Sequence, residues 1–229
     1  MQDFFSQIDL FSHLTSGDYA LLKEHAKLTT VHKGELIFRN GDPSSNLYLL
    51  KQGSVKLYNI RRGSEKEEIT CLMGTGEVFC LAPLLSREQF HVNAQALEES
   101  EMIIIPELAI QALIRQSHPF AQRVIRFLAK KECDLCEEVC DLSLSTTKER
   151  LAKYLFREYE RNRHADSFPL PLNQSQLASY LGTVRETLSR DLADLKKAHI
   201  IKAEKGLISV LNPGELQQVG GCFQKPCSK

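Results

Sequence analysis

Residues 172–195 read LNQSQLASYLGTVRETLSRDLADL, and the spacing of their apolar side chains predicts two short helices separated by a glycine. Asn173 is the expected N-cap of the first helix, because its side-chain oxygen can accept hydrogen bonds from the free amides of the first turn. Gly182 allows the tight backbone that two steeply crossing helices need. This arrangement is typical of a helix-turn-helix. The side chains expected to point inward are Leu177, Ala178, Leu181, Val184, Leu188, Leu192 and Leu195.

The outward face of the second helix carries side chains suited to DNA. Arg185, Ser189 and Arg190 project from one side over little more than a turn, with Glu186 beside them. Arginine can pair with guanine and a carboxylate can accept from cytosine, so this face could read base edges in a major groove. An ordinary solvated amphipathic helix is the alternative. The residues expected to contact DNA are Asn173, Gln174, Thr183, Arg185, Glu186, Ser189 and Arg190.

Two short strand patterns, 200–203 and 207–211, follow the second helix and are joined by a turn. This order is typical of a winged helix. Together with it, the run GTVRETLSR at 182–190 resembles the recognition segment of the Crp-Fnr superfamily of bacterial transcription regulators. The resemblance implies that Arg185, Glu186 and Arg190 read the outer bases of a two-fold symmetric operator in double-stranded DNA.

One residue of this segment departs from the family pattern. The residue before the first arginine is commonly Ser or Thr, which caps the helix and contacts phosphate, whereas this chain has Val184. We therefore expect Thr183 to take that role.

The composition of the chain is that of a soluble globular protein. It has 229 residues, 42% hydrophobic and 25% charged, enough to bury the core of one large or two small domains. Basic and acidic residues balance at 29 each, so DNA affinity must come from a local basic face. The absence of an apolar leader or a run of about 18 apolar residues predicts a cytoplasmic protein without a membrane partner. No phosphate loop, HExxH or GxSxG motif points to an enzyme.

Short apolar runs cut by glycine turns fill residues 29–105 and predict an all-β barrel or jelly roll. Residues 1–30 predict short covering helices, with a break at Ser16, Gly17 and Asp18. The segments KGELIF at 33–38, GSVKLY at 53–58 and GEVF at 76–79 resemble the effector-binding barrel of the same superfamily.

A long helix is predicted from His118 to about Leu142, with an apolar stripe at three- and four-residue spacing that only Glu132 interrupts. Such a stripe needs a partner, and the simplest partner is a second copy of the chain. The resemblance also implies a homodimer. Thr146 and Glu149 then offer a capping box for the next helix. The expected dimerisation residues are Ile125, Leu128, Leu135, Val139 and Leu142.

The predicted fold class is α+β, with three parts in chain order. These are an N-terminal β-barrel (double-stranded β-helix or jelly roll) at 1–118, a dimerisation helix at 119–143 and a C-terminal winged helix-turn-helix at 144–229. The expected function is a homodimeric transcription regulator, with RNA polymerase as a partner if it activates. The alternatives are a cyclic-nucleotide-type regulatory module acting on protein, a redox-responsive thiol protein with a vestigial helix-turn-helix, and a cyclic AMP-responsive regulator with a remodelled pocket.

The barrel segment also indicates which effector the protein could bind. Cyclic-nucleotide-binding members of the family carry an Arg-Ser pair after the Gly-Glu signature, and aligning Gly76 and Glu77 places Phe90 and His91 at that pair. Without the arginine a phosphate would be left unpaired, at a cost of about 1–3 kcal/mol. Arg87 could substitute only in a remodelled loop. We expect no response to cyclic AMP, with Gly76, Glu77, Cys80, Phe90 and His91 forming the effector pocket.

Two other sensing modes in the family use iron. The oxygen-sensing branch holds an iron-sulfur cluster with N-terminal cysteines, and residues 1–70 contain none, which disfavours that mode. The branch that binds haem to detect carbon monoxide or nitric oxide resembles this chain at GEVFC, 76–80, with Cys80 in the place of the thiolate ligand. The histidine expected two residues later is Ala82, so His91 is the remaining candidate. The alternative is that Cys80 is a small buried hydrophobe and His91 a surface residue.

The chain has seven cysteines, and without an export signal we expect reduced thiols. Cys133, Cys136 and Cys140 share one face of the long helix, but the first and last lie about 10 Å apart along its axis. One zinc ion cannot bind all three without unwinding the helix. Packing beside the dimer interface and a redox-sensing or cross-subunit role both remain open. Cys222 and Cys227 lie in the C-terminal tail.

Overall fold

The computed structural model describes residues 2–61, 63, 66–204 and 206–221. The chain divides into two compact units, Met1–Asp134 and Leu135–Lys229. The boundary falls inside one continuous helix, His118–Leu144. The long helix predicted from the apolar stripe is therefore confirmed.

The N-terminal segment forms α1 (Gln2–Gln7), a 3-10 turn at Asp9–Phe11 and α2 (Ser16–His25). The predicted break at Ser16, Gly17 and Asp18 is wrong, because these residues are the first turn of α2. Thr15 caps this helix: its hydroxyl accepts from the amide of Asp18 at 3.2 Å, and its own amide donates to the Asp18 carboxylate at 3.0 Å. The reciprocal capping box outweighs the turn tendency of the glycine.

The predicted jelly roll is confirmed as two four-stranded antiparallel sheets, with the strand orders β1-β8-β3-β6 and β2-β7-β4-β5. The short helix α3 (Leu81–Ser86) lies between β6 and β7 in sequence. The strands are β1 (Lys27–Val31), β2 (Leu36–Phe38), β3 (Asn46–Gln52), β4 (Val55–Ile60), β5 (Glu67–Met73), β6 (Val78–Phe79), β7 (Asn93–Ala96) and β8 (Ser100–Pro106).

The strand β3 is buried on both faces and separates two apolar clusters. Leu47 and Leu49 pack with the N-terminal helices, with α4 (Glu107–Gln116) and with the first half of α5 (His118–Leu144). Tyr48 and Leu50, on the alternate face, pack inside the sandwich. The helices thus cover the outer face of one sheet, and the interior cluster lies between the two sheets.

The C-terminal unit begins with the end of α5 and contains α6 (Thr147–Arg161), whose capping box from Thr146 to Glu149 is confirmed. This unit also contains a three-stranded sheet of order β10-β11-β9, whose strand β9 precedes the helix-turn-helix in sequence and whose other two strands follow it. Its strand β9 was not predicted, because two residues carry no periodicity. The remaining elements are β9 (Phe168–Pro169), α7 (Gln174–Tyr180), α8 (Arg185–Lys197), β10 (Ile201–Glu204), β11 (Leu207–Val210) and α9 (Pro213–Val219).

Across the described residues, no helix combines the length and apolar character needed to span a bilayer.

Candidate nucleic-acid interface

The first helix of the helix-turn-helix is capped as predicted. The Asn173 side chain accepts from the Gln176 amide at 3.0 Å, and the Asn173 amide donates to the Gln176 side chain at 3.1 Å. Leu177, Ala178 and Leu181 are buried. The turn passes through Gly182, whose φ of +64° is a left-handed conformation that favours glycine.

The prediction that Val184 points inward is wrong. Val184 is the N-cap of α8 in an extended conformation, and its side chain is 53% exposed because the helix begins one residue later. The cap position therefore carries no side-chain hydrogen bond, and Thr183 does not occupy it. The other predicted inward positions of α8, Leu188, Leu192 and Leu195, are buried.

The exposed face of α8 carries the residues expected to read DNA. Arg185, Glu186, Ser189 and Arg190 are all exposed within the first two turns. The Arg190 guanidinium donates to the Thr187 hydroxyl at 3.3 Å, which directs it along the helix surface. Sequence reasoning did not single out Thr187. Asn173 and Gln174 are exposed at the start of α7, and Thr183 is half-buried in the turn.

The predicted wing is confirmed. Strands β10 and β11 pair antiparallel from Ile201 with Val210 to Glu204 with Leu207. Ile201 and Ile208 are buried beneath the hairpin, and Phe168 of β9 pairs with Ile208. Strand β10 also contacts α8, so the wing packs against that helix.

Arg150 of α6 connects the end of α5 to the turn of the helix-turn-helix. Its Nε donates to the carbonyl of Leu181 at 3.0 Å, and its Nη1 donates to the carbonyls of Ser145 at 2.5 Å and Asp141 at 3.4 Å. A cation is favourable at helix C-terminal ends, where carbonyls lack partners. Sequence patterns did not indicate this connection, since no spacing rule pairs an arginine with carbonyls of two distant segments.

Two further contacts lie beside Arg150. Lys153 forms an ion pair with the carboxylate of Asp141. The Leu142 side chain lies 3.5 Å from the point where a Cβ on Gly182 would be. The last turns of α5 therefore lie in direct contact with the helix-turn-helix within one unit.

The predicted effector residues occupy different environments. Phe90 is 3% exposed and its ring stacks on that of Phe38 with centroids 3.8 Å apart. Its neighbour His91 has a side chain that is 74% exposed, with Nε2 3.2 Å from a Glu88 carboxylate oxygen. The Cys80 thiol packs against the interior cluster, and burial raises its pKa to about 12. Neutral thiol is therefore the stable form of Cys80 in this arrangement.

The Gly-Glu signature shapes the turn between the strands β5 and β6. Gly76 has a φ of +86° and donates its amide to the Leu50 carbonyl at 2.7 Å. The Glu77 carboxylate accepts from the amide of Gly74. Both residues thus stabilise the backbone of the barrel.

Two basic residues near this region, Arg87 and Lys56, are each paired with a glutamate. Arg87 has a φ of +58° and a side chain that is 75% exposed, and it lies 3.7 Å from the carboxylate of Glu107. Lys56 is buried, but Val55 and Leu57 on either side of it pack into the interior cluster, so Lys56 faces the opposite side of the sheet. It pairs there with Glu67 and lies over the Tyr58 ring.

Known protein families match both the N-terminal and the C-terminal half of the chain. A model of the cyclic nucleotide-binding domain matches residues 28–117, and a model of the Crp-like helix-turn-helix domain matches residues 149–219. The transcriptional activator protein anr of Pseudomonas aeruginosa is 29% identical over 193 residues, which are 82% of this chain and 78% of that protein. The fumarate and nitrate reduction regulatory protein of Vibrio cholerae is 28% identical over 195 residues, 83% of this chain and 77% of that protein.

Among solved structures, FixK2 from Bradyrhizobium japonicum superimposes with a TM-score of 0.77 at 22% identity, over 85% of this chain and 96% of that chain. This likeness supports the fold. The barrel, the winged helix-turn-helix and the exposed recognition face define a DNA-binding transcription regulator. The chain belongs to the Crp-Fnr superfamily.

The three cysteines of α5 are free and exposed. Among the residues that the structure describes, no three or more His, Cys, Asp and Glu side chains are grouped so that they could hold one metal ion. Cys222 and Cys227 lie outside the described residues.

Proposed function

We propose that the protein is a homodimer that reads a two-fold symmetric operator, each protomer using Arg185, Glu186 and Arg190. The observation that carries this proposal is the apolar stripe on α5, which remains largely uncovered within one chain. Large apolar side chains exposed along one line of a helix mark an interaction surface.

The exposure of the stripe is uneven along α5. Leu128 is partly buried against the N-terminal cluster, whereas the other four predicted dimerisation residues are well exposed. Positions 125, 128, 132, 135, 139 and 142 follow the alternating three- and four-residue spacing of a coiled-coil seam. The exposed fractions are 66% for Ile125, 60% for Leu135, 62% for Val139 and 58% for Leu142.

Dimerisation also supplies what the recognition helix needs. Two helices that enter successive major grooves must lie about 34 Å apart, and a parallel pair of α5 helices would set that spacing. Selection of binding sites from a pool of random duplexes tests the proposal. We expect an inverted repeat with family-like half-sites such as TGTGA or TTGAC. Recovery of no consensus, with or without reductant, would favour a module that acts on protein.

We further propose that the signal is not cyclic AMP. The position of the family's phosphate-binding arginine is held by Phe90, which is buried in an aromatic stack, and Arg87 is exposed and paired with Glu107. Titration calorimetry at millimolar cyclic AMP is expected to show no binding, and operator affinity should not change. Saturable binding, or a tenfold or greater change in operator affinity, would contradict this prediction.

One candidate signal is nitric oxide or carbon monoxide bound to haem, supported by the resemblance at 76–80. The two proposed ligands do not fit this role as placed, because the Cys80 thiol packs inside the barrel and the His91 imidazole is exposed. Haem binding would require the segment around His91 to move inward. An absorption spectrum of protein from a haem-supplemented host decides the matter, since a Soret band that shifts in Cys80→Ala and His91→Ala would support it.

The other candidate signal is the redox state of the α5 thiols; their exposure supports it, and the acidic residues beside them count against it. The Pseudomonas aeruginosa relative carries the name of a transcriptional activator, and on that basis we propose activation with RNA polymerase as a partner.

A further inference from the structure

Cys136 and Cys140 form an exposed pair of free thiols in the last third of α5. They are four residues apart on a continuous helix, so they lie on the same face, about one turn from each other. Each follows a stripe position by one residue, about 100° around the helix. In a dimer formed through the stripe, Cys140 would therefore face away from the partner helix and Cys136 would lie at the edge of the interface.

The spacing of the pair favours binding of a metal ion over formation of a disulfide. Side chains four apart on a helix have Cβ atoms about 5–6 Å apart, whereas a disulfide needs a Cβ separation of about 3.5–4.5 Å. A disulfide within this pair would thus distort the helix. Two thiolates that bind one metal ion at about 2.3 Å each can hold their sulfur atoms up to about 4.6 Å apart, which this helix can supply without distortion.

The charges around the pair also favour a cation. Residues 132–141 contain Glu132, Asp134, Glu137, Glu138 and Asp141 and no basic residue. Thiols that act as redox sensors are usually placed beside Lys, Arg or a helix N-terminus, which this segment does not provide. The neighbouring bases of α6 are already engaged: Lys153 with Asp141, and Arg157 with the Tyr180 hydroxyl at 2.9 Å.

The coordination number limits which cation fits. Because the described residues offer no group of three or more ligands, a closed four-ligand zinc site is excluded there. Soft cations that thiolates select, such as Cu(I), suit a site of two sulfur ligands. We propose that Cys136 and Cys140 chelate one soft, thiophilic cation of this class. Both thiols lose a proton, two metal–sulfur bonds form, and no electron is transferred.

The site is placed where it could influence DNA binding, an inference that rests on the proposed function. Cys140 is adjacent to Asp141, whose carbonyl and carboxylate contact Arg150 and Lys153. Arg150 in turn holds the Leu181 carbonyl at the turn of the helix-turn-helix. A cation on the pair fixes the last turns of α5 next to this connection.

The test uses full-length protein in which Cys222 and Cys227 are replaced by Ser, so that the tail thiols do not compete. Cu(I) is titrated without oxygen against a chromophoric Cu(I) chelator. We expect one Cu(I) per chain, and about 100-fold or weaker binding in Cys136→Ser and in Cys140→Ser, because two linked ligands gain effective concentration over one. Cys133→Ser separates this pair from Cys133 and Cys136, which are three residues apart on the same helix, and should bind as the parent does.

The proposal is overturned if Cys136→Ser and Cys140→Ser keep the parent affinity, or if Cys133→Ser alone loses it. Circular dichroism of each variant establishes that the fold is retained. A separate arm measures operator affinity. One equivalent of Cu(I) is expected to change the affinity of the parent by about fivefold or more, and to leave that of a Cys136→Ser/Cys140→Ser variant unchanged. Unchanged parent affinity would remove the regulatory role, and absent operator binding both with and without the cation would instead reject the proposed function.

Discussion

Replacing Leu135 and Val139 by Glu is expected to convert the protein into a monomer and to weaken binding to a symmetric operator by about 100-fold or more. The two side chains are 60% and 62% exposed in one chain, so the substitution leaves the protomer intact. In the proposed dimer they lie in the stripe, where four added carboxylates would be desolvated and would repel one another. Light scattering at micromolar concentration measures the mass directly.

Two variants of the same helix serve as controls. Lys130→Glu adds a carboxylate away from the stripe and should leave the mass of the dimer unchanged. Glu132→Leu completes the apolar stripe and should lower the dimer dissociation constant. A Leu135→Glu/Val139→Glu protein that keeps the dimer mass would show that α5 does not form the interface.

Arg190→Ala should cost about 1–3 kcal/mol on the selected operator, roughly 5- to 150-fold in affinity, and should leave most salt-dependent binding to random DNA. The physical reason is that a guanidinium on base edges discriminates sequence, whereas phosphate contacts do not. Arg190 is exposed and its guanidinium donates to the Thr187 hydroxyl, so its loss does not disturb the core of α8. Fluorescence anisotropy with specific and random duplexes provides both numbers.

Lys197→Ala is the matched control, since Lys197 is a basic residue in the last turn of the same helix. Its loss should change affinity for the specific and the random duplex by a similar factor, because a charge away from the base-reading residues acts on any DNA backbone alike. Equal losses on specific and random DNA in Arg190→Ala would contradict the role assigned to that side chain.

Local signals in the sequence were sufficient for most of the helix-turn-helix. Asn173 could be assigned as a cap and Gly182 as the turn because both roles depend on the residue itself and its immediate neighbours. The same local rule failed at Gly17, where a capping box from Thr15 to Asp18 starts a helix through the glycine. Val184 was misplaced by one residue, which is the ordinary uncertainty of a helix boundary.

Features that depend on distant parts of the chain could not be predicted. Periodicity indicated a barrel, but it could not show that Phe90 packs inside while His91 faces solvent, because both follow a turn rather than a long strand. The contact of Arg150 with Asp141 and Leu181 joins segments that only the tertiary fold brings together. The exposed stripe of α5, by contrast, was visible in the sequence because its spacing is regular over more than four turns.

The most direct test of a dimer reading a symmetric operator is the dependence of affinity on half-site spacing. The selected operator is compared with the same duplex carrying five extra base pairs between its half-sites, about half a helical turn, which moves the second half-site to the opposite face of the DNA. We expect a loss of about 100-fold or more in affinity and a change from two protomers bound per duplex to non-specific binding. Equal affinity for the two duplexes would contradict it.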